Sequence, residues 1–173
     1  MEPVYPAALT EFAVRAIAIG IGATVVMDVW SLVQKRLLGV PGLDFRFVGR
    51  WVAHLPRGQF FHAPIAASPA VRGEAAIGWA THYATGIVFA AALLGLCGLD
   101  WAHRPTPWPA LLFGIVTVAA PFLVMQPGMG AGLAARRTPH PATARVRSLV
   151  AHLSFGVGLY LAALATAGLR FTV

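Results

Sequence analysis

Three ionisable residues stand inside long apolar stretches of the sequence. Asp28 interrupts the run IGATVVMDVWSLV, and His82 and His152 interrupt two later apolar stretches. A carboxylate and two imidazoles can exchange protons, and together they can bind Zn, Fe, Ni or Cu(II) as a set of two histidines and one carboxylate. Ionisable residues inside membrane spans are rare and are functional candidates by default.

The composition indicates that these stretches lie in lipid. The chain has 173 residues, of which 58% are hydrophobic and 11% are charged, whereas soluble domains average about 25% charged residues. A core of this size cannot bury so much apolar surface, so the lipid bilayer is the predicted environment. The net charge of +7 comes from basic residues between the apolar runs, which is typical of membrane topology signals rather than of nucleic-acid binding.

Four segments are long enough to cross the hydrocarbon core, and we predict spans at about 12–33, 75–99, 108–126 and 148–169. The fold class is therefore an all-α four-transmembrane-helix bundle in a single domain over residues 1–173. In the first long loop, Asp44 as N-cap and Pro56 with Gly58 as stop signals predict a short amphipathic helix. This helix either lies in the membrane interface or packs on the bundle as a lid.

Basic residues predict the orientation of the spans. Of the 13 Lys and Arg, six fall in the loop at about 34–74 and four in the loop at about 127–147. Both loops are therefore expected in the cytoplasm, facing anionic lipid, and both termini in the periplasm. A complete transporter of this size is expected to be a homo-oligomer. The single Cys97 excludes a disulfide or a cysteine zinc cluster.

Counting from the predicted span ends places the polar residues at one depth. At about 1.5 Å per residue, Asp28, His82, His152 and Gln126 fall within roughly 10 Å of the cytoplasmic boundary. The ionisable residues also lie on stripes of small or hydroxylated residues, which mark helix-packing faces. We predict one polar layer that contains these four residues and Thr24, with Asp28, His82 and His152 as candidate ligands of a divalent transition metal.

The end of the third span carries several helix breakers. Pro121 is expected to kink the helix, and Pro127 with the glycines that follow it is expected to end it. The GAGLAA segment lacks the strand and the βαβ unit that a dinucleotide-binding fingerprint requires. His62 and His140 fall in loops and are expected to be solvated.

Three functions remain open. The polar layer binds a proton, a metal ion or a small solute from the cytoplasmic side, or His82 and His152 are the axial ligands of a haem. Alternatively, the chain is a membrane scaffold or complex-assembly subunit in which the layer only locks the helices. No nucleophile elbow and no H-E-x-x-H motif is present in the sequence, so catalysis is less expected than binding.

Four segments resemble a bacterial integral-membrane family known as domain of unknown function 2938. They are GATVVMDVWSLVQKRLLGVPGLDFRFVGRW, HLPRGQF, APFLVMQPGMGAGLAARRTP and HLSFGVGLYLA. The resemblance extends from Gly20 to Ala162 and implies a small four-span protein of the inner membrane. It implies no catalytic role for any residue.

Overall fold

The computed structural model describes residues 5–169, with side chains described from residue 8 onward. Within this range the chain is all-α and contains no strand. The helices are α1 (Tyr5–Leu38), α2 (Phe45–His54), α3 (Glu74–His103), α4 (Pro107–Val116), α5 (Gln126–Gly128) and α6 (Pro141–Thr166). Short 3₁₀ turns lie at Leu55–Arg57, Ile65–Ala67 and Leu133–Ala135.

Four helical segments are long and apolar enough to cross a membrane, which confirms the predicted fold class. They are Ala8–Leu38, Glu74–His103, Pro107–Gly128 and Pro141–Thr166. The fourth begins seven residues before the predicted start at Ser148, because the basic sequence around Arg145 and Arg147 continues the helix. Apolar composition therefore locates the part of a helix that suits lipid, but it does not locate the end of the helix.

Two of the four spanning segments are interrupted. In α3, Gly98 has a φ of 78° and breaks the helix one residue before the predicted end of the span. In the third segment, α4 ends at Val116 and a π-helical turn follows at Pro121–Met125. Proline has no N–H to continue the α-helical pattern, and the helix type changes at Pro121, where the sequence predicts a kink.

The described residues of segments 1–30, 83–115 and 153–173 form one compact unit, here called the first unit. Its core is built from α1, α3, α4 and α6 and is rich in small side chains. The buried members are Ala16, Ile19, Ala23, Ala90, Leu93, Leu94, Trp101, Ala102, Ala110, Phe155, Leu159 and Ala163.

Glycines allow the helices of the first unit to approach each other closely. A Cβ added to Gly20 of α1 would lie 2.5 Å from the Cα of Ile87 in α3, and one added to Gly158 of α6 would lie 2.7 Å from the Cα of Ala23. Both distances are too short for a real Cβ, so these positions tolerate only glycine. The predicted role of the small-residue stripe around Gly20 as a packing face is confirmed.

Residues 31–82 and 116–152 form the second unit, in which α2 packs on the first turns of α3. Asp44 caps α2 as predicted, since its carboxylate accepts a hydrogen bond of 3.0 Å from the backbone N–H of Arg46. Gly49 of α2 and Gly78 of α3 meet at a backbone contact that leaves no room for a side chain. The sequence analysis left open whether α2 lies in the membrane interface or packs on the helices. The structure shows that α2 packs against α3, and a position of α2 in the membrane interface stays a prediction.

The buried face of α2 includes two basic residues. Arg50 is 9% exposed and His54 is 2% exposed. The Arg50 guanidinium binds both carboxylate oxygens of Glu74 at 2.8 and 2.9 Å. It also donates to the carbonyl oxygens of Ala66 and Ser68 at 3.3 and 3.0 Å. Arg50 therefore fixes the loop after α2 against the start of α3.

A second buried arginine joins three helices of the first unit. Arg15 of α1 is fully buried, and its Nε lies 2.7 Å from Oε1 of Glu11, which is also 2.6 Å from Nε2 of His103 in α3. Its terminal nitrogens donate to the carbonyl oxygens of Thr166 and Leu169 at 2.8 and 3.0 Å. Thr166 is the last residue of α6, where the carbonyls of a helix have no intrahelical donors, and Leu169 lies three residues beyond it. Arg15 therefore caps α6 from another helix.

We expect Arg15→Gln to lower the free energy of unfolding in detergent on the order of 3–5 kcal/mol, the typical loss when one partner of a buried ion pair is removed. The substitution leaves Glu11 without its arginine and the end of α6 without its donors. Arg104→Gln removes an exposed arginine beyond the end of α3 and is the matched control. Equal unfolding curves for the two variants would contradict the capping role.

Candidate functional site

Asp28 lies on α1 in the first unit and has a partner that the sequence analysis missed. Its Oδ2 accepts a hydrogen bond of 3.0 Å from the hydroxyl of Tyr83 on α3. Tyr83 directly follows His82 in the sequence, so the residue beside a predicted site residue supplies the donor. The sequence signal that could have indicated Tyr83 is a phenol inside an apolar span, because a buried hydroxyl has to find a hydrogen-bond partner.

Thr24 is fully buried one turn before Asp28 on the same helix. Its hydroxyl donates to the carbonyl oxygen of Gly20 at 2.8 Å, which is a bond within α1. Its side chain fills the space beside Gly86 of α3, where an added Cβ would collide with the Thr24 hydroxyl. The Thr24 hydroxyl is thus satisfied by its own helix, and the side chain contributes to helix packing.

The two predicted histidines both belong to the second unit. Nδ1 of His152 on α6 lies 2.9 Å from the hydroxyl of Thr117 and hydrogen bonds with it. The His82 ring packs against the Phe45 ring of α2, with centroids 4.3 Å apart, and against Trp79 at 5.8 Å. His82 and His152 lie within electrostatic range of each other. Thr117, which is only 6% exposed, and Phe45 were not predicted as site residues.

Gln126 follows the π-helical turn and faces α6 in the second unit. Its Nε2 donates to the hydroxyl of Ser148 at 3.2 Å. Its Oε1 is buried and has no hydrogen-bond partner among the described residues. π-Turns frequently accompany functional sites, and this one places an amide acceptor beside the start of the fourth span.

The structure thus gives each predicted residue a defined set of neighbours. Within the described residues 5–169, no group of three or more His, Cys, Asp or Glu side chains is placed to hold a metal ion. The convergence of Asp28 with His82 and His152 stays a prediction. In the first unit the Asp28 carboxylate accepts a hydrogen bond from the Tyr83 phenol, and in the second unit His152 hydrogen bonds with Thr117.

An uncharacterised family accounts for most of the chain. The family model described as protein of unknown function (DUF2938) matches residues 17–166, and the chain belongs to this family. The resemblance seen in the sequence is therefore confirmed. No curated protein matches the chain, and no solved structure does. This member of the family has four helices that are long and apolar enough to cross a membrane.

We expect the hydroxyl of Tyr83 and the carboxylate of Asp28 to be coupled energetically. A double-mutant cycle of Tyr83→Phe and Asp28→Ala, in which each variant removes the hydrogen bond, should give a coupling energy of about 0.6 kcal/mol and at most about 1.7 kcal/mol, the mean and the largest value for hydrogen bonds between membrane helices. The readout is unfolding in detergent. Tyr160→Phe is the control, because the Tyr160 hydroxyl of the same unit has no hydrogen bond among the described residues. If the coupling energy with Tyr83→Phe is no larger than the coupling energy with Tyr160→Phe, the predicted coupling is refuted.

Proposed function

We propose that this chain is a multi-span protein of the bacterial inner membrane that binds a proton or a small cation at Asp28, His82 and His152, taken up from the cytoplasmic side. The observation that carries the proposal is the hydrogen bond from Tyr83 to Asp28 inside a spanning helix. A carboxylate that accepts a hydrogen bond within an apolar span is a place where a positive charge can bind.

Hydrogen bonds orient two of the proposed residues. An ionised carboxylate offers about four lone-pair sites, and one oxygen of Asp28 accepts the hydrogen bond from Tyr83. The His152 ring is oriented by Thr117 through Nδ1, which directs its other nitrogen away from this bond.

The competing function is a scaffold, and the packing of Thr24 against Gly86 favours it. Here the polar groups only lock the helices, and the close helix contacts support assembly with a second copy or with another membrane protein. In this reading the carboxylate of Asp28 is a hydrogen-bond acceptor that an amide can replace. The two functions therefore differ in whether the charge of Asp28 matters.

We expect Asp28→Asn to abolish cation binding while the protein still folds. Asn keeps the volume and accepts the Tyr83 hydrogen bond but cannot ionise. In proteoliposomes with a trapped pH indicator, the wild type should dissipate an imposed pH gradient faster than empty liposomes, and Asp28→Asn should slow this at least tenfold. Asp100→Asn, which removes an exposed carboxylate at the end of α3, should behave as the wild type.

Two results would favour the scaffold instead. One is a wild-type rate no faster than that of empty liposomes, and the other is an Asn variant with the full wild-type rate. In both cases the thermal stability of Asp28→Asn in detergent should equal or exceed that of the wild type, since a buried charge is costly to keep.

The orientation proposed for this function has a separate test. In a Cys97→Ala background, single cysteines replacing Gln59 and His140, both exposed in loops, should react with a membrane-impermeant thiol reagent only from the cytoplasmic side. A cysteine replacing the exposed Arg104 between α3 and α4 should react only from the periplasmic side. Labelling with the sides exchanged would overturn the orientation drawn from the basic loops.

A further inference from the structure

Two histidines of the second unit have buried ring nitrogens without hydrogen-bond partners. His54 ends α2 and is 2% exposed, and its Nδ1 has no partner among the described residues. His62 lies in the loop that follows, and its Nε2 is likewise buried and unpartnered. The two ring centroids are 5.2 Å apart, with the ring planes inclined by 40°. A buried polar nitrogen without a partner loses its hydration, and a bound ligand would offset this cost.

The His62 ring is held in the orientation of a ligand. Its Nδ1 lies 2.7 Å from the Ser68 hydroxyl and hydrogen bonds with it. When Nδ1 carries the proton and donates to Ser68, the lone pair is on Nε2, the unpartnered nitrogen. Histidines that bind metals usually donate their second N–H to a neighbouring group in this way, which fixes the tautomer and the ring orientation.

His54 is held in its neutral form. Burial is the main cause that lowers the pKa of His54 below its ordinary value, and the neighbouring His62, Arg57 and Arg50 lower this pKa further. A neutral imidazole keeps a lone pair, and a metal ion binds only this form. The environment that disfavours a proton on His54 therefore leaves a nitrogen available for a metal ion.

The nearby arginines do not exclude a cation. The charge of Arg50 is balanced by both oxygens of Glu74, and its remaining donors are used by backbone carbonyls. Arg57 is exposed, so solvent and salt screen its field. A divalent ion between the two rings thus faces one neutralised and one screened positive charge.

We propose that His54 and His62 bind one transition-metal ion through Nδ1 of His54 and Nε2 of His62. Imidazole ligands suit Zn, Cu, Fe and Ni ions, and water or a small ligand would complete the coordination. Two metal–nitrogen bonds of about 2.0–2.1 Å join ring nitrogens up to about 4 Å apart, and the centroids of the two rings are 5.2 Å apart. The site is distinct from the residues proposed for cation binding in the spans and does not depend on that function.

Zinc titration of the full chain in detergent tests the site. Zn²⁺ affinity and stoichiometry are measured by competition with a chromophoric chelator. We expect the double variant His54→Gln/His62→Gln to lose one equivalent of Zn²⁺, and Ser68→Ala to weaken binding about 10–100-fold through the loss of the ring's second hydrogen bond. His140→Gln removes an exposed loop histidine and should leave both values unchanged.

The variants separate this site from others. Zn²⁺ bound at His82 and His152 would be retained by the double variant, so only the equivalent lost reports on His54 and His62. If His54→Gln fails to fold, the half-buried His62 and Ser68 carry the test with His62→Gln and Ser68→Ala. Equal Zn²⁺ stoichiometry and affinity in the wild type, His62→Gln and Ser68→Ala would overturn the proposal.

Discussion

A polar group in apolar surroundings has to find its partner within the protein, and this constraint determines how the first unit is held together. Lipid offers no hydrogen bonds, so an unsatisfied group costs several kcal/mol. Arg15 meets the constraint with the carboxylate of Glu11 and the carbonyls at the end of α6. Asp28 meets it with the phenol of Tyr83, and Thr24 with its own helix. Two of these three solutions join different helices, so satisfying the polar groups also fixes which helices are neighbours.

The second unit obeys the same constraint with three exceptions. Arg50 is satisfied by Glu74 and by backbone carbonyls, and His152 has Thr117 as its partner. His54 Nδ1, His62 Nε2 and Gln126 Oε1 are the buried side-chain atoms in the described residues that lack a partner. All three lie in this unit, next to loops or to the π-helical turn. Atoms that the fold leaves unsatisfied are the ones with which an external ligand gains the most free energy.

Local patterns predicted the fold well, and long-range partners explain what they missed. Span length and apolar content gave four helices, and the breakers Pro121 and Pro127 gave the interruption of the third. The burial of Arg50 on α2 does not follow from local periodicity, because its partner Glu74 lies 24 residues away in the sequence. In the candidate site, the sequence indicated Asp28 and the histidines but not Tyr83, which pairs with Asp28 over 55 residues. Periodicity reports the chemistry of one helix, and such partners are set by tertiary packing.

The cap that Arg15 places on α6 has a consequence for biosynthesis. Its acceptor Thr166 lies 151 residues later in the chain, and ribosomes add about 5–20 residues per second. The first span therefore enters the membrane roughly 8–30 s before the end of the last span exists. During that interval Glu11, one helical turn away, is the partner that can keep the arginine paired. This local ion pair lets the translocon accept a helix whose permanent contacts have not yet been translated.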